Sequence, residues 1–209
     1  MKPTGELYAC LYAKEFPAQA VLRLRPELRD LPVVVVEGEP PLETVCSFNA
    51  KARYLGIVRG ITRVELDTFS SLIVLPRSHT EEVSTHAVML ECAGAFSPRL
   101  EDRSDGSAFL CVIDIAGTEK LLGPPEVLAR ELLRRVQVLG VSASIAISRN
   151  FHASLSYLRA SPSLHPATKA QLSLHCLSKF WTYPESTRRH LEFGASAHLG
   201  PWPPFQKKN

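Results

Sequence analysis

The chain has 209 residues, 45% of them apolar, and carries 24 Lys and Arg against 21 Asp and Glu for a formal charge of +3. A chain of this length and composition buries a real core, which excludes disorder throughout, and so mild a net charge does not by itself mark a nucleic-acid-binding protein. The imbalance is local: the first 160 residues hold 18 basic and 19 acidic side chains, whereas Ser161 to Asn209 hold 6 and 2, so the positive excess belongs to the tail.

Leu7 to Leu11 is a short apolar run that predicts a buried strand, ending where Lys14 and Glu15 appear. Ala18 to Leu28 spaces Ala18, Val21, Leu22 and Leu28 as a loose helix broken at Pro26. Pro32 to Val36 is the clearest strand, because its consecutive valines lose rotamer freedom in a helix and suit a sheet interior. Thr44 to Phe48 reads as its partner. Asn49 to Tyr54 predicts a short helix stopped by Gly56, and Gly60 marks a turn before Arg63 to Thr68.

Leu72 to Leu75 is a brief strand, and His79 to Ala95 is a long helix with Val83, Ala87, Val88, Leu90 and Cys92 as its apolar side. Phe109 to Ile115 predicts a strong strand, entered from the turn-rich Asp102 to Gly106 and left through Gly117. Pro124 to Gln137 has the marks of a helix: proline in the first turn, Glu126 at the positive end, and Val127, Leu128, Leu132 and Val136 on one face. Arg130 and Arg134 share its solvated side, an ordinary surface that a groove of phosphates could also use. Ser142 to Ile147 alternates small polar and apolar residues as a half-buried strand, and Asn150 to Arg159 closes with a helix.

After Ala160 periodicity dissolves among Pro162, Pro166, Pro184, Pro201, Pro203 and Pro204, so the tail is expected to be loose. Five widely spaced cysteines without a CxxC pair argue against a zinc ribbon or a disulfide framework and for buried free thiols in a reducing compartment. No signal peptide and no apolar stretch of the ~18 residues a membrane helix needs is present, which predicts a cytoplasmic protein with no membrane contact. Setting aside an insertion between about Ala18 and Leu75, the order strand, helix, strands, helix, strand, helix fits an α+β fold: one sheet with helices on one face, in the split βαβ style of ferredoxin-like domains.

Four segments resemble the Y-family translesion DNA polymerases, in the family's order. Ala9-Cys10-Leu11-Tyr12-Ala13-Lys14-Glu15-Phe16-Pro17-Ala18-Gln19 is similar to the opening motif, and Ser47 to Gly60 to the fingers segment. Phe109 to Gly117 resembles the palm strand ending in Leu-Asp-Ile, and Ser144 to Asn150 the last palm strand and its turn. Within the family the likeness is nearest to the ImuB branch, through Arg25 to Leu28 ahead of Pro32 to Val36. The resemblance implies a palm-like domain from residues 1–17 and 76–160, a fingers-like insertion at 18–75, and a mostly unstructured tail at 161–209 where the family continues into thumb and little finger.

Phosphoryl transfer by such an enzyme requires two divalent ions about 4 Å apart held by hard carboxylate oxygens. Carried across, the family's first Asp falls on Tyr12, its second acidic position on Lys14, and the palm's Asp-Glu pair on Phe109 and Leu110. The phosphate-contacting Tyr of the fingers falls on Ala50, the aromatic that screens out ribose on Pro17, and the Lys of the last helix on Phe151. The resemblance thus implies no catalytic residue and no cofactor. Magnesium enters only under the alternative of a weak nucleotidyl transferase with substitute acids, for which Glu15, Asp102 and Asp105 are the nearest candidates beside Asp114. Glu15 is one position off and on a strand would face the other way, Asp102 and Asp105 lie in a turn-rich loop, and Asp114 reads as a cap for the turn before Gly117. Arg53 and Arg149 are either phosphate or DNA contacts or solvated surface.

In the tail, Gln171, Leu172 and Leu174 sit in a segment similar to the sliding-clamp-binding pentapeptide, with an incidental helical turn as the competing account. Members of the ImuB branch act in mutagenic repair, which implies a sliding clamp, a RecA-like accessory protein and an active polymerase subunit as partners, with DNA bound weakly if at all. The function implied is a non-catalytic adaptor in DNA damage tolerance. A truncated remnant without function is the further alternative.

Overall fold

The computed structural model describes residues 5–150, which form two sheets with helices packed on them. The four-stranded sheet has β1 (Tyr8–Ala13) near its centre, antiparallel to β6 (Phe109–Asp114) on one side and to β7 (Ser144–Ser148) on the other, with β5 (Leu100–Asp102) as the edge beyond β6. With α4 (His79–Gly94) joining β1's half of the chain to β5, and α6 (Pro125–Val138) joining β6 to β7, this is the split βαβ arrangement expected from the order of elements.

Pleating sends Ala9, Leu11 and Ala13 of β1 to one face, where they meet Phe109, Cys111 and Ile113, Met89 and Ala93 of α4, and Leu128, Leu132 and Val136 of α6. The opposite face carries its own cluster of Cys10, Leu110, Val112 and Ala146, with Tyr8 and Tyr12 packed against it. Covering on both faces explains why the β6 sequence is a continuous apolar run. It also corrects the half-buried reading of β7, in which Ile145, Ala146, Ile147 and Ser148 are all buried.

The second sheet has the order β3-β2-β4, with β2 (Val33–Glu37) antiparallel to β3 (Thr44–Phe48) and parallel to β4 (Ile73–Pro76). Val34, Val36, Val45 and Phe48 pack under Ala52 of α2 (Ala50–Tyr54), Ile57, and Leu66 of α3 (Arg63–Leu66). On the other face Val35 meets Ala18 and Val21 of α1 (Phe16–Arg23). That double burial is the reason four valines in a row are tolerated. Thr62 opens α3 as its N-cap, with a capping box to Glu65. Helix α1 stops at Arg23, shortly before the break expected at Pro26, and a one-turn 3-10 helix takes over at Pro26–Leu28.

Helix α4 shows a face different from the one the sequence predicts, and α6 departs from its expected face at one residue. In α4 the buried residues are Thr85, Met89 and Ala93, a strict four-residue spacing, while Val83 is 70% exposed. In α6 Leu128, Ala129, Leu132, Leu133 and Val136 are buried and Val127 is half-exposed. Side-chain size misleads here, because Ala93 and Ala129 let the helices lie close to the sheet where bulkier neighbours could not. Strand β5 and the single-turn α5 (Glu119–Leu122) have no counterpart among the expected elements; β5 is a three-residue edge and reads as a turn from its charges. Free thiols stand at Cys10, Cys46, Cys92 and Cys111, and burial pushes Cys46 up to about 11 and Cys111 up to about 12. No helix among the described residues is long and apolar enough to cross a membrane. The closing helix expected up to Arg159, with Phe151, and the tail with Gln171, Leu172 and Leu174 lie outside the described residues, apart from Asn150.

The faces of α4 give a direct check. Met89→Ala should cost about 2–5 kcal/mol by opening a cavity under the sheet, whereas Val83→Ser should stay within about 0.5 kcal/mol of the parent. Equal losses in chemical denaturation would contradict this assignment of the buried face.

Candidate functional site

The site is built where the end of β1, the start of β6 and the α2 region converge. Tyr12 stands directly across from Leu110, and Ala13 across from Phe109. Tyr12 and Leu110 therefore share the sheet face that points away from α4 and α6, whereas Phe109 is fully buried on the helix side. There its ring lies 5.8 Å from Phe16 and 5.4 Å from His86, so the residue at this position closes an aromatic cluster. Of the four positions where the resemblance places metal-binding carboxylates, the structure thus brings Tyr12 and Leu110 together and turns Phe109 into the core.

Lys14 follows the strand and is half-buried. Burial comes first among the causes that hold its ammonium below the ordinary 10.5, the neighbouring Arg53 guanidinium adds to it, and Glu15 pulls weakly the other way. The Lys14 carbonyl accepts from Gln19 Nε2 at 2.7 Å, and the same amide group exchanges hydrogen bonds with the backbone of Ser142. Gln19 therefore clips the turn after β1 to the entry of β7.

Glu15 lies beyond the strand, which ends at Ala13, so its carboxylate is not directed by the pleat of β1. It sits at the N-cap of α1 with φ 52° and ψ 44°, the sole non-glycine residue with positive φ among those described, and its side chain does not cap the helix. Instead the carboxylate reaches the second sheet. One oxygen accepts from Arg53 at 3.1 Å; the other accepts from Arg59 at 3.0 Å and from the Ser47 hydroxyl at 3.0 Å. Ser47 is fully buried, and its hydroxyl also accepts from the Ala18 amide at 3.2 Å. The glutamate side chain is 13% exposed beneath two guanidiniums that are each 44% exposed. Arg53 also lies 5.2 Å above the Phe48 ring.

The elements around this knot are fixed by Asn49. Its Oδ1 accepts from the Ala52 amide, capping α2, and from the Val33 amide, while Nδ2 donates to the Leu31 carbonyl at 2.7 Å. Ala50 then opens α2 with no side chain to reach a ligand, and Pro17 is buried in the first turn of α1.

The remaining acids are spoken for. Asp102 lies on β5, not in a loop, and pairs with His86 at 2.9 Å while accepting from the Ser104 amide, contacts that together hold its carboxyl below the ordinary range despite burial. Asp105 accepts from the Ser107 and Ala108 amides and the Ser107 hydroxyl, and makes a further contact. Asp114 accepts from the Ala116 amide at 2.9 Å, as a turn cap does, and pairs with Arg99. Arg149 is exposed at the end of β7 and makes no ion pair with the described residues. Among the described residues no three His, Cys, Asp or Glu side chains come together as a metal site. Ser47, Asn49 and Arg59 are the site residues that sequence reasoning misses; a serine inside an otherwise apolar strand and an Asn just ahead of a helix are the signals that could have found the first two.

A model of the impB/mucB/samB family matches residues 11–155. The chain is similar in structure to the insertion ternary complex of Dbh DNA polymerase, with a TM-score of 0.64 and 18% identity over 75% of this chain and 46% of that one. It is also similar to DinB from Sulfolobus solfataricus, with a TM-score of 0.58 and 19% identity over 68% of this chain and 41% of that one. It therefore spans less than half the length of either. No curated protein matches the chain.

Lys14 supplies a test with a defined sign. Its folded-state pKa is below its unfolded one, so the folded chain sheds this proton first: the ammonium costs stability at pH 7, and the cost fades as pH rises toward 10.5. Lys14→Met should therefore match or exceed the parent at pH 7, by less than about 1 kcal/mol, since solvent still reaches the half-buried ammonium and screens it. The advantage should shrink in alkali. A variant less stable at pH 7, or a gain independent of pH, would contradict the assignment.

Proposed function

Since the chain belongs to the impB/mucB/samB family and shares its fold with Y-family DNA polymerases, we propose that it is a catalytically silent member that serves as an adaptor in DNA damage tolerance. The observation that carries the reading is the Tyr12–Leu110 cross-strand pair beside Lys14. A polymerase of this fold works through paired divalent ions, and an ion of that kind needs hard anionic oxygens converging on it. Here those positions carry a phenol, an aliphatic side chain and an ammonium. These residues do not fit a magnesium pair.

The alternative of substitute acids meets the pairing just described. Glu15 is held by two arginines and a hydroxyl, Asp102 by His86, and Asp114 by Arg99 and its own turn. Releasing any of them breaks an existing contact before metal can be gained. Within this reading residues 1–17 and 76–160 are the palm and 18–75 the fingers, the ImuB branch is the nearest kin, and DNA contact is weak, resting on Arg149 and in part on Arg53. The partners are a sliding clamp, engaged through Gln171, Leu172 and Leu174, a RecA-like accessory protein and an active polymerase subunit. The Dbh structure is a ternary complex, and this chain covers 46% of that protein's length.

Pull-down of the full chain against clamp, RecA-like protein and polymerase subunit should recover at least one of them. Capture of none would remove the adaptor role. Primer extension with Mg²⁺ or Mn²⁺ should give no product above background, and product that disappears in an Asp114→Ala variant would make the chain an enzyme after all.

A further inference from the structure

The Glu15 knot has the chemistry of an oxyanion site that is already filled. Two guanidiniums and one hydroxyl directed at a pair of carboxylate oxygens is the donor set that binds a phosphate group. The local charge does not balance: Lys14, Arg53 and Arg59 stand around a single carboxylate. Lys14 makes no side-chain hydrogen bond with the described residues, and its charged form is disfavoured by burial and by Arg53. A site assembled only to join two sheets has no need of three cations for one anion.

The backbone points the same way. Glu15 adopts the left-handed region, which a residue with a Cβ enters only when other contacts over-determine it. It occupies an N-cap position yet leaves the helix uncapped, so the conformation is not explained by helix initiation. What it achieves is to throw the carboxylate across to Arg53, Arg59 and Ser47. The arginines cover it from outside, each nearly half exposed, so an anion arriving from solvent meets the guanidiniums first and the carboxylate behind them.

We propose that Glu15 is a resident anion: its carboxylate occupies a metal-independent phosphate site formed by Arg53, Arg59 and Ser47, keeping that site shut to phosphate groups until the carboxylate is displaced or removed. The inference deepens the silent-polymerase reading without depending on it, because it concerns binding in the absence of metal and involves no turnover. The shared ligand chemistry is a phosphate oxyanion, whether from a free polyphosphate or from a nucleic-acid backbone.

The test is calorimetric titration of the full chain with sodium tripolyphosphate, and in parallel with a single-stranded oligonucleotide, in EDTA at low salt. Glu15→Gln keeps the shape and the hydroxyl contact but drops the charge. Glu15→Gly removes the side chain and suits the left-handed backbone. Both should bind tripolyphosphate at least about tenfold more tightly than the native chain, and adding Arg59→Ala to Glu15→Gln should abolish the gain. A parallel gain for the oligonucleotide assigns the site to nucleic-acid phosphates as well; a gain for tripolyphosphate alone assigns it to free polyphosphates. Native binding as tight as that of the variants, no gain in either variant, or a gain that survives Arg59→Ala would overturn the proposal. Loss of folding in both variants would overturn it too, by making Glu15 a pillar of the fold and not the occupant of a site.

Discussion

The turn at Glu15 is the constraint on which the arrangement of the described residues depends. Strand β1 is the central strand of one sheet, and α1 packs on the other, so the two residues between them set how the sheets meet. Phe16, first residue of α1, donates its amide to the Ser107 carbonyl at 3.0 Å and puts its ring in the core beneath β6. Two residues on, the Ala18 amide donates to Ser47 of the second sheet. One left-handed residue thus lets consecutive positions address opposite sheets, and the Glu15 carboxylate closes the same seam through side chains. Further from the turn Arg25 grips Glu81 at the start of α4, and Arg77 joins Glu82, Glu37 and the Gly106 carbonyl. These pairs are part-buried and bidentate or networked, the kind that hold geometry better than an isolated surface pair.

Within that frame Tyr12, Phe109 and Leu110 serve the packing of the sheet. Phe109 supplies a ring to a cluster with Phe16 and His86, and Leu110 and Tyr12 fill the second face of the sheet. Carboxylates at such points would have to be desolvated close together, a cost that a metal ion offsets in an enzyme and nothing offsets without one. Tyr12, Phe109 and Leu110 avoid that repulsion and add packing that keeps the strands in register.

The strands were the most legible part of the sequence, for a physical reason. Runs such as Val33 to Val36 and Phe109 to Ile113 are buried on both faces, so every residue reports its environment and β-branching excludes the helix. The helix faces were less legible because a close approach to a sheet is made with Ala93 and Ala129, which carry little apolar signal, while Val83 and Val127 carry much and face solvent. Strand β5 is hidden by Glu101 and Asp102, which belong on an edge. Which residues stand at the positions where the resemblance places carboxylates is a matter of identity. The Glu15 knot was not legible: nothing local predicts that a glutamate after a strand adopts positive φ, and its partners Ser47, Arg53 and Arg59 lie more than thirty residues away.

Charge at the seam is net positive: Lys14, Arg53 and Arg59 stand near one acid, Glu15, whose carboxylate is engaged by both arginines. A field of that sign repels divalent metal and attracts anions. It falls off within about 8 Å at physiological salt, so it acts on groups brought into contact and not as long-range steering. Such a surface favours an anionic group in direct contact with the guanidiniums of Arg53 and Arg59 over a metal cation.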